Sequence, residues 1–172
     1  MAGKKALIVI DMQNDYLWDK RMKKFSYDTE KLTAEVNKSI VEFAANGDDV
    51  IYIAQMFPNI ITNKWFIGFS IKGTEGAELY KGMKKVSDLY FEKNLPDTFS
   101  SSKFKEYVKS QGYSELVLCG LDECGCVGAT AKGAVKAGFS VSLIEKSTGC
   151  RYKSDKQNKM RETLKALGVK YI

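Results

Sequence analysis

The sequence predicts an α/β fold in three layers, with helices on both faces of a mainly parallel central sheet. Short, continuously apolar runs alternate along the chain with segments whose apolar residues recur at helical spacing. A run that is apolar at every position is typical of a strand buried on both faces, as in a parallel sheet. The length of 172 residues suits one hydrophobic core, so we expect a single domain over residues 1–172.

Six short apolar runs are the predicted strands, at residues 5–10, 50–54, 89–91, 115–120, 139–144 and 169–172. Five segments between them are the predicted helices, at residues 29–45, 76–85, 102–110, 124–137 and 156–167. In the first helix, apolar residues such as Leu32 and Val36 recur at helical spacing. Asp28 is placed to cap its start, and Gly47 is placed to end it.

Residues 55–74 follow the second predicted strand and show no clear period. They contain several aromatic side chains, among them Phe57, Trp65 and Phe69. A long aromatic loop in a compact domain is either functional or a partner surface, and both interpretations stay open here.

Histidine is absent from the sequence, and its absence excludes several kinds of chemistry. No Ser-His-Asp triad, Cys-His dyad, histidine metal ligand or imidazole proton shuttle can be built. Acid–base steps near neutral pH must use carboxylates, lysines, cysteines, tyrosines or water. Cys124 and Cys126 have CxC spacing rather than the CxxC of zinc sites, so we expect neither a metal nor another cofactor.

The charge is mildly basic, with 27 Lys and Arg against 21 Asp and Glu and a formal net charge of +6. No nucleic-acid recognition motif accompanies the lysines, so we interpret them as solvated surface. No apolar run approaches the roughly 18 residues that span a bilayer, and residues 6–10 are too short for a signal peptide. We therefore expect a cytoplasmic protein with reduced cysteines, a small-molecule substrate, and no nucleic-acid or membrane partner.

Three reactive side chains come at or shortly after the ends of predicted strands, where open parallel sheets bind their ligands. Asp11 follows the first strand, Lys93 lies just past the third, and Cys126 comes shortly after the fourth. Cys126 also falls in the first turn of a predicted helix, where free N–H groups favour a thiolate. A carboxylate that takes the thiol proton and a nearby ammonium would complete a nucleophile set without histidine.

Three motifs surround these residues in chain order. Residues 6–16 read ALIVIDMQNDY, residues 91–93 read FEK, and residues 120–138 read GLDECGCVGATAKGAVKAG. They resemble the isochorismatase-like cysteine hydrolase superfamily, with its DxQxD(F/Y) signature and its G-x5-C-V-x2-T-A-x2-A-x3-G nucleophile segment. The superfamily includes isochorismatases, nicotinamidases and N-carbamoylsarcosine amidohydrolase. The resemblance covers nearly the whole chain and implies an isochorismatase-like fold with Rossmann-like layering.

The resemblance also implies a role for each reactive residue. Asp11 aligns with the general base that accepts the thiol proton and later returns it to the leaving group. Lys93 aligns with the lysine that stabilises the thiolate and the carboxylate. Cys126, rather than Cys124, aligns with the nucleophile, because it is followed by valine and lies six residues after a glycine.

A cis peptide precedes the residue four positions ahead of the nucleophile in this family, and here that bond joins Leu121 to Asp122. It would aim the backbone N–H groups of Asp122 and Cys126 at a developing oxyanion. Asp122 and Glu123 place two acids beside this position. They would either select a cationic substrate or face solvent.

The mechanism that the resemblance implies is nucleophilic. A thiolate attacks a carbonyl or similar carbon, an amine or ammonia leaves, and water hydrolyses the thioester. We therefore expect a metal-independent cysteine hydrolase of C–N bonds in a small amide or carbamoyl-type molecule. Gln13, Tyr16 and Phe57 are candidates for binding this substrate.

Two alternatives remain, and one departure from the family pattern bears on them. Nicotinamidases carry a metal site with histidines near the second strand, where residues 54–59 of this chain contain none. One alternative is isochorismatase-type vinyl-ether hydrolysis, which needs an acid more than a nucleophile. The other is a non-catalytic protein that binds partners through residues 55–74. Family members commonly form oligomers, so we expect a homo-oligomer, a dimer or larger.

Overall fold

The computed structural model describes residues 3–172, which form one central sheet flanked by helices. The strands are β1 (Lys5–Ile10), β2 (Asp49–Gln55), β3 (Tyr90–Lys93), β4 (Glu115–Leu121), β5 (Ser140–Gly149) and β6 (Lys170–Tyr171). The helices are α1 (Asn14–Leu17), α2 (Thr29–Ala45), α3 (Ile61–Phe66), α4 (Ser102–Ser110), α5 (Cys126–Lys136) and α6 (Ser154–Ala166). Short 3-10 turns lie at Glu75–Ala77 and Thr98–Ser100.

The sheet has the strand order β3-β2-β1-β4-β5-β6, and every neighbouring pair is parallel. Alternate residues of β1 point to opposite faces, so Ile8 joins one apolar cluster and Leu7 joins the other. Phe104 of α4 and Leu164 of α6 pack in the first cluster, and Val36 of α2 packs in the second. The predicted three-layer α/β architecture with a parallel sheet is therefore confirmed.

The strand order reverses direction between β1 and β4. The chain runs outward from β1 to β2 and β3, then returns to β4 on the other side of β1. Such a reversal leaves a crevice at the carboxyl ends of the two central strands, because the following segments diverge. The residues that follow β1 and β4 therefore meet at this edge of the sheet.

Gly120 allows β4 to approach β1 closely just before that edge. Its φ is 105°, and a Cβ at this position would lie 2.2 Å from the backbone oxygen of Ile10. Only glycine fits where two backbones come this close with a positive φ.

The structure corrects several predicted boundaries. The helix predicted at 76–85 is wrong, because only Glu75–Ala77 makes a helical turn and the following segment bonds to other elements. Asn37, for example, accepts from Lys84 N at 2.8 Å and donates to Gly82 O at 2.8 Å. Other strands and helices shift by a few residues: Lys93 ends β3 rather than following it, α5 begins at Cys126 rather than at 124, and β5 continues to Gly149.

Residues 55–74 are not simply a loop, since they contain the six-residue helix α3. Phe57 and Phe69 line an internal pocket. Trp65 and Phe66, in contrast, are 81% and 86% exposed to solvent. A partner surface here, including one for a homo-oligomer, stays a prediction. None of the helices in residues 3–172 has the length and apolar character needed to cross a membrane.

Candidate active site

Asp11 follows β1 directly and turns the chain away from the sheet. Its backbone has a φ of 53°, in the left-handed region that non-glycine residues seldom occupy and that Asp tolerates better than most. The backbone N–H of Asp11 donates to Ile53 O at 2.9 Å, which ties this turn to the neighbouring strand β2. The side chain is buried at the edge of the sheet.

Lys93 and Asp11 form a buried ion pair. Lys93 Nζ lies 2.9 Å from Asp11 Oδ2, and it also donates to Gln55 Oε1 at 2.7 Å. Burial lowers the pKa of Lys93, but the negative charge of Asp11 and the hydrogen bond to it outweigh burial, with a smaller contribution from Cys126, so the net shift is upward. The lysine is therefore an ammonium ion at neutral pH.

Cys126 is the first residue of α5 and lies close to this ion pair. Burial raises the pKa of its thiol, the charge of Asp11 raises it further, and the charge of Lys93 opposes them. The position of Cys126 at a helix N-terminus suggests a thiolate, but the raised pKa of the thiol indicates that it stays protonated in the resting protein. Asp11 Oδ1 is buried and makes no hydrogen bond within residues 3–172, so the carboxylate retains an open acceptor.

The turn between β4 and α5 contains a cis peptide bond between Leu121 and Asp122. Asp122 holds this turn with its carboxylate, because Oδ1 accepts from Cys124 N at 2.8 Å. Its Oδ2 accepts from Tyr27 Oη at 2.9 Å and from Arg151 N at 2.8 Å.

Glu123 is fully buried and faces α6 instead of the pocket. It accepts from Arg161 Nε at 2.7 Å and from the side-chain amide of Gln157. Of the two alternatives for these acids, facing solvent is wrong, because both carboxylates are buried and hydrogen-bonded within the fold. Selection of a cationic substrate stays a prediction for Asp122 alone, since Asp122 lines the pocket and Glu123 does not.

A pocket of about 490 Å³ opens in front of Asp11 and Cys126. Six of the sixteen residues that line it are aromatic: Tyr16, Phe25, Tyr27, Phe57, Phe69 and Tyr152. The rings pack edge to face, with centroids 4.8 Å apart for Tyr16 and Phe25 and 5.1 Å apart for Phe25 and Phe69. The pocket therefore has the size and apolar character of a site for a small molecule.

Two of the three candidate substrate-binding residues line this pocket, and one does not. Tyr16 and Phe57 are part of its wall. Gln13 is fully buried behind it, where its amide nitrogen donates to Gln55 O at 3.0 Å and to Ala77 O at 2.6 Å. Its amide oxygen accepts from Gln55 N at 2.8 Å. The assignment of Gln13 to substrate binding is corrected, because it positions Gln55 instead.

Several residues of the site were not predicted from the sequence. Gln55 ends β2 at the same edge of the sheet as the three reactive residues, so its position was a usable signal. Phe25 and Arg151 come from irregular segments that carry no pattern. The Arg151 guanidinium lies 5.2 Å from the Phe25 ring and closes one side of the pocket.

Together these features define a parallel α/β protein with a buried carboxylate and ammonium beside a half-buried thiol at the carboxyl edge of its sheet. The family model of the isochorismatase domain matches residues 5–171, so the chain belongs to the isochorismatase family of hydrolases.

Comparisons with individual proteins agree with this family. The chain is 27% identical over 141 residues to an uncharacterized isochorismatase family protein of Bacillus subtilis, covering 81% of this chain and 74% of that protein. It is 25% identical over 156 residues to a probable inactive nicotinamidase of Arabidopsis thaliana, covering 83% and 79%. Its fold is similar to the crystal structure of N-carbamoylsarcosine amidase from Thermoplasma acidophilum, with a TM-score of 0.81, 22% identity and coverage of 98% and 95%.

Proposed function

We propose that this protein hydrolyses a C–N bond in a small amide or carbamoyl-type compound through a thioester on Cys126, with no metal in the reaction. The observation that carries the proposal is the buried contact between Lys93 and Asp11 beside the Cys126 thiol. It leaves one Asp11 oxygen free to accept a proton at the mouth of an apolar pocket.

In the first step, Asp11 Oδ1 accepts the thiol proton while Sγ of Cys126 bonds to the carbonyl carbon. Because the pKa of Cys126 is raised, the thiol proton is transferred while the sulfur attacks, and no thiolate needs to form beforehand. Lys93 stabilises the negative charge, whether it resides on the sulfur or on the carboxylate. The carbonyl π electrons move to oxygen and form a tetrahedral intermediate.

The turn between β4 and α5 offers two donors for that oxyanion. The backbone N–H groups of Glu123, Cys124, Gly125 and Val127 all donate within or across this turn. The backbone N–H groups of Asp122 and Cys126 donate none of the hydrogen bonds that hold this turn within residues 3–172. They are the donors we assign to the oxyanion, a contribution of about 3–4 kcal/mol to the barrier per donor.

Collapse of the intermediate breaks the C–N bond and leaves a thioester on Cys126. Asp11 passes its proton to the departing nitrogen, which leaves as ammonia or an amine. Asp11 then removes a proton from water, whose oxygen attacks the thioester carbon. The acid product leaves, and the proton held by Asp11 returns to the Cys126 sulfur.

The absence of histidine supports a mechanism of this kind. The histidine ligands that the family resemblance implies for nicotinamidases have no counterpart in this chain. The three reactive side chains, in contrast, supply a base, a counter-charge and a nucleophile without imidazole.

A screen for ammonia release over small amides, ureas and carbamoyl compounds tests this proposal. The wild-type protein is compared with Cys126→Ala and with Cys119→Ala, a matched control at a buried position of β4. We expect turnover that Cys126→Ala abolishes and Cys119→Ala retains. Turnover that survives Cys126→Ala would contradict the proposal.

A non-catalytic role is the second candidate, favoured by the similarity to a probable inactive nicotinamidase. Iodoacetamide distinguishes the two candidates, because a nucleophile activated by Asp11 reacts faster than a buried inert thiol. Alkylation of Cys126 that is slow in wild type and equally slow in Asp11→Asn would favour the non-catalytic candidate.

A further inference from the structure

A second group of thiols lies outside the proposed catalytic residues. Cys124, in the turn before α5, and Cys150, just after β5, have their sulfur atoms 3.7 Å apart. They are not joined by a disulfide bond, and neither lines the substrate pocket. An oxygen of Asp122 lies within 4.8 Å of both sulfurs. The proposed reaction uses none of these three side-chain groups.

The spacing of the two sulfurs matches that of a metal-bound pair. Thiolate sulfur binds zinc at about 2.3 Å, and a tetrahedral angle then places two sulfurs about 3.8 Å apart. Cys124 and Cys150 already have this separation, so a cation between them requires little movement of the backbone.

Asp122 retains capacity for a third metal bond. An ionised carboxylate has about four lone-pair positions. Oδ2 of Asp122 uses two of them, for Tyr27 Oη and Arg151 N, and Oδ1 uses one, for Cys124 N. Oδ1 therefore keeps one lone pair for a bond to the cation.

The site is reachable from solvent by a route separate from the substrate pocket. Cys150 borders a cavity of about 430 Å³ between α2 and β5. Glu35 and Glu145 lie on its wall, together with Lys31 and Lys146. A hydrated cation can reach Cys150 from this side, and a solvent molecule can occupy the fourth position of a tetrahedral site.

We propose that Asp122, Cys124 and Cys150 bind a borderline-soft divalent cation of the zinc class. On binding, each thiol releases its proton to solvent, two metal–sulfur bonds and one metal–oxygen bond form, and all but one of the waters of the hydrated cation leave. The sequence predicts no metal site, because the two thiols are 26 residues apart in the chain and come together only in the folded protein. A bound cation ties the turn before α5 to the end of β5.

Cobalt titration tests the proposal without any assay of activity. Co²⁺ is added to chelator-treated, fully reduced protein, and absorption is recorded for thiolate charge transfer and for the visible bands of tetrahedral cobalt. We expect one Co²⁺ per chain, displaced by Zn²⁺. We expect Cys150→Ser to weaken binding by more than about tenfold, since even groups that only orient a ligand contribute that much.

Cys126→Ser is the matched control, because it removes the proposed nucleophile as a competing ligand. Binding that is retained in Cys126→Ser and lost in Cys150→Ser supports the proposal. Binding that is lost in Cys126→Ser, unchanged in Cys150→Ser or undetectable in wild type would overturn it.

Mass spectrometry of the wild-type protein keeps the test independent of whether the variants fold. Zn²⁺ should protect Cys124 and Cys150, but not Cys126, from maleimide. Equal labelling of Cys124 and Cys150 with and without Zn²⁺ would also overturn the proposal.

Discussion

Lys93 Nζ lies 2.9 Å from Asp11 Oδ2 although 82 residues separate the two along the chain. The strands that carry them are not adjacent, since β2 lies between β1 and β3. Lys93 reaches across the end of β2 and bonds to Gln55 on the way. Both charges are buried, so each depends on the other for its stabilisation.

Removal of either charge should destabilise the fold. Lys93→Met and Asp11→Asn each leave one buried charge unpaired, and we expect each to lower the free energy of unfolding by about 3–5 kcal/mol. The double variant should be more stable than the sum of the two losses implies, because neither charge remains. Urea unfolding of all four proteins measures this coupling, and strictly additive losses would show that the pair is not coupled.

Alkaline unfolding should report the raised pKa of Lys93. The folded-state pKa lies above the ordinary lysine pKa of 10.5, so this stabilisation is complete below pH 10.5 and is lost as the pH rises through the folded pKa. We expect stability to fall more steeply above pH 10.5 in wild type than in Lys93→Met. The difference between the two proteins is the readout, because other lysines and the tyrosines titrate equally in both.

Catalysis should depend on Cys126 and Asp11 together. On a substrate found by the ammonia screen, we expect Cys126→Ala to lower kcat/KM by more than about a thousandfold with its folded circular dichroism unchanged. The vinyl-ether alternative predicts a different pattern, in which Cys126→Ala stays active and Asp11→Ala does not. Activity lost in Cys124→Ala but kept in Cys126→Ala would show that Cys124 is the nucleophile and that the assignment of Cys126 is wrong.

Gln13 should prove structural, in contrast to Phe57. Gln13→Ala leaves the buried N–H of Gln55 without its acceptor, which should cost about 1–3 kcal/mol of stability. We expect KM to change little in Gln13→Ala and to rise in Phe57→Ala, because only Phe57 lines the pocket. A KM that rises in Gln13→Ala while stability is unchanged would restore Gln13 to substrate binding.

Gly120 should tolerate no side chain. We expect Gly120→Ala to cost more than about 3 kcal/mol or to prevent folding, because its Cβ would overlap Ile10 O. Gly138→Ala is the matched control, since Gly138 also has a positive φ, of 92°, but no atom lies within 4 Å of an added Cβ. Its cost should be only about 1–2 kcal/mol. Thermal melts of the two variants check the difference, and equal shifts would contradict this account.

Local patterns determined most of the fold. The continuous apolar run of β1 and the helical spacing of α2 place both elements within one residue of their observed bounds. Asp28 caps α2 as expected, since its side chain accepts from Lys31 N at 3.1 Å. These features are readable because each depends on residues close together in the chain.

The meeting of Asp11, Lys93 and Cys126 also follows from sequence, for a less local reason. All neighbouring strands are parallel, so the residues at their carboxyl ends must share one edge of the sheet. Once the strands were recognised, three reactive residues at three strand ends were expected to be neighbours, whatever the loops between them did.

Other features of the site depend on how distant segments pack in the folded chain. This packing puts Gln13 in a supporting position, brings Phe25 and Arg151 to the pocket, and places Cys124 beside Cys150. None of these contacts follows from a period or a strand end, because each joins irregular segments whose course is set by packing. Local sequence patterns are therefore enough to predict which layers form and which edge of the sheet is reactive, whereas the packing of the loops sets what surrounds that edge.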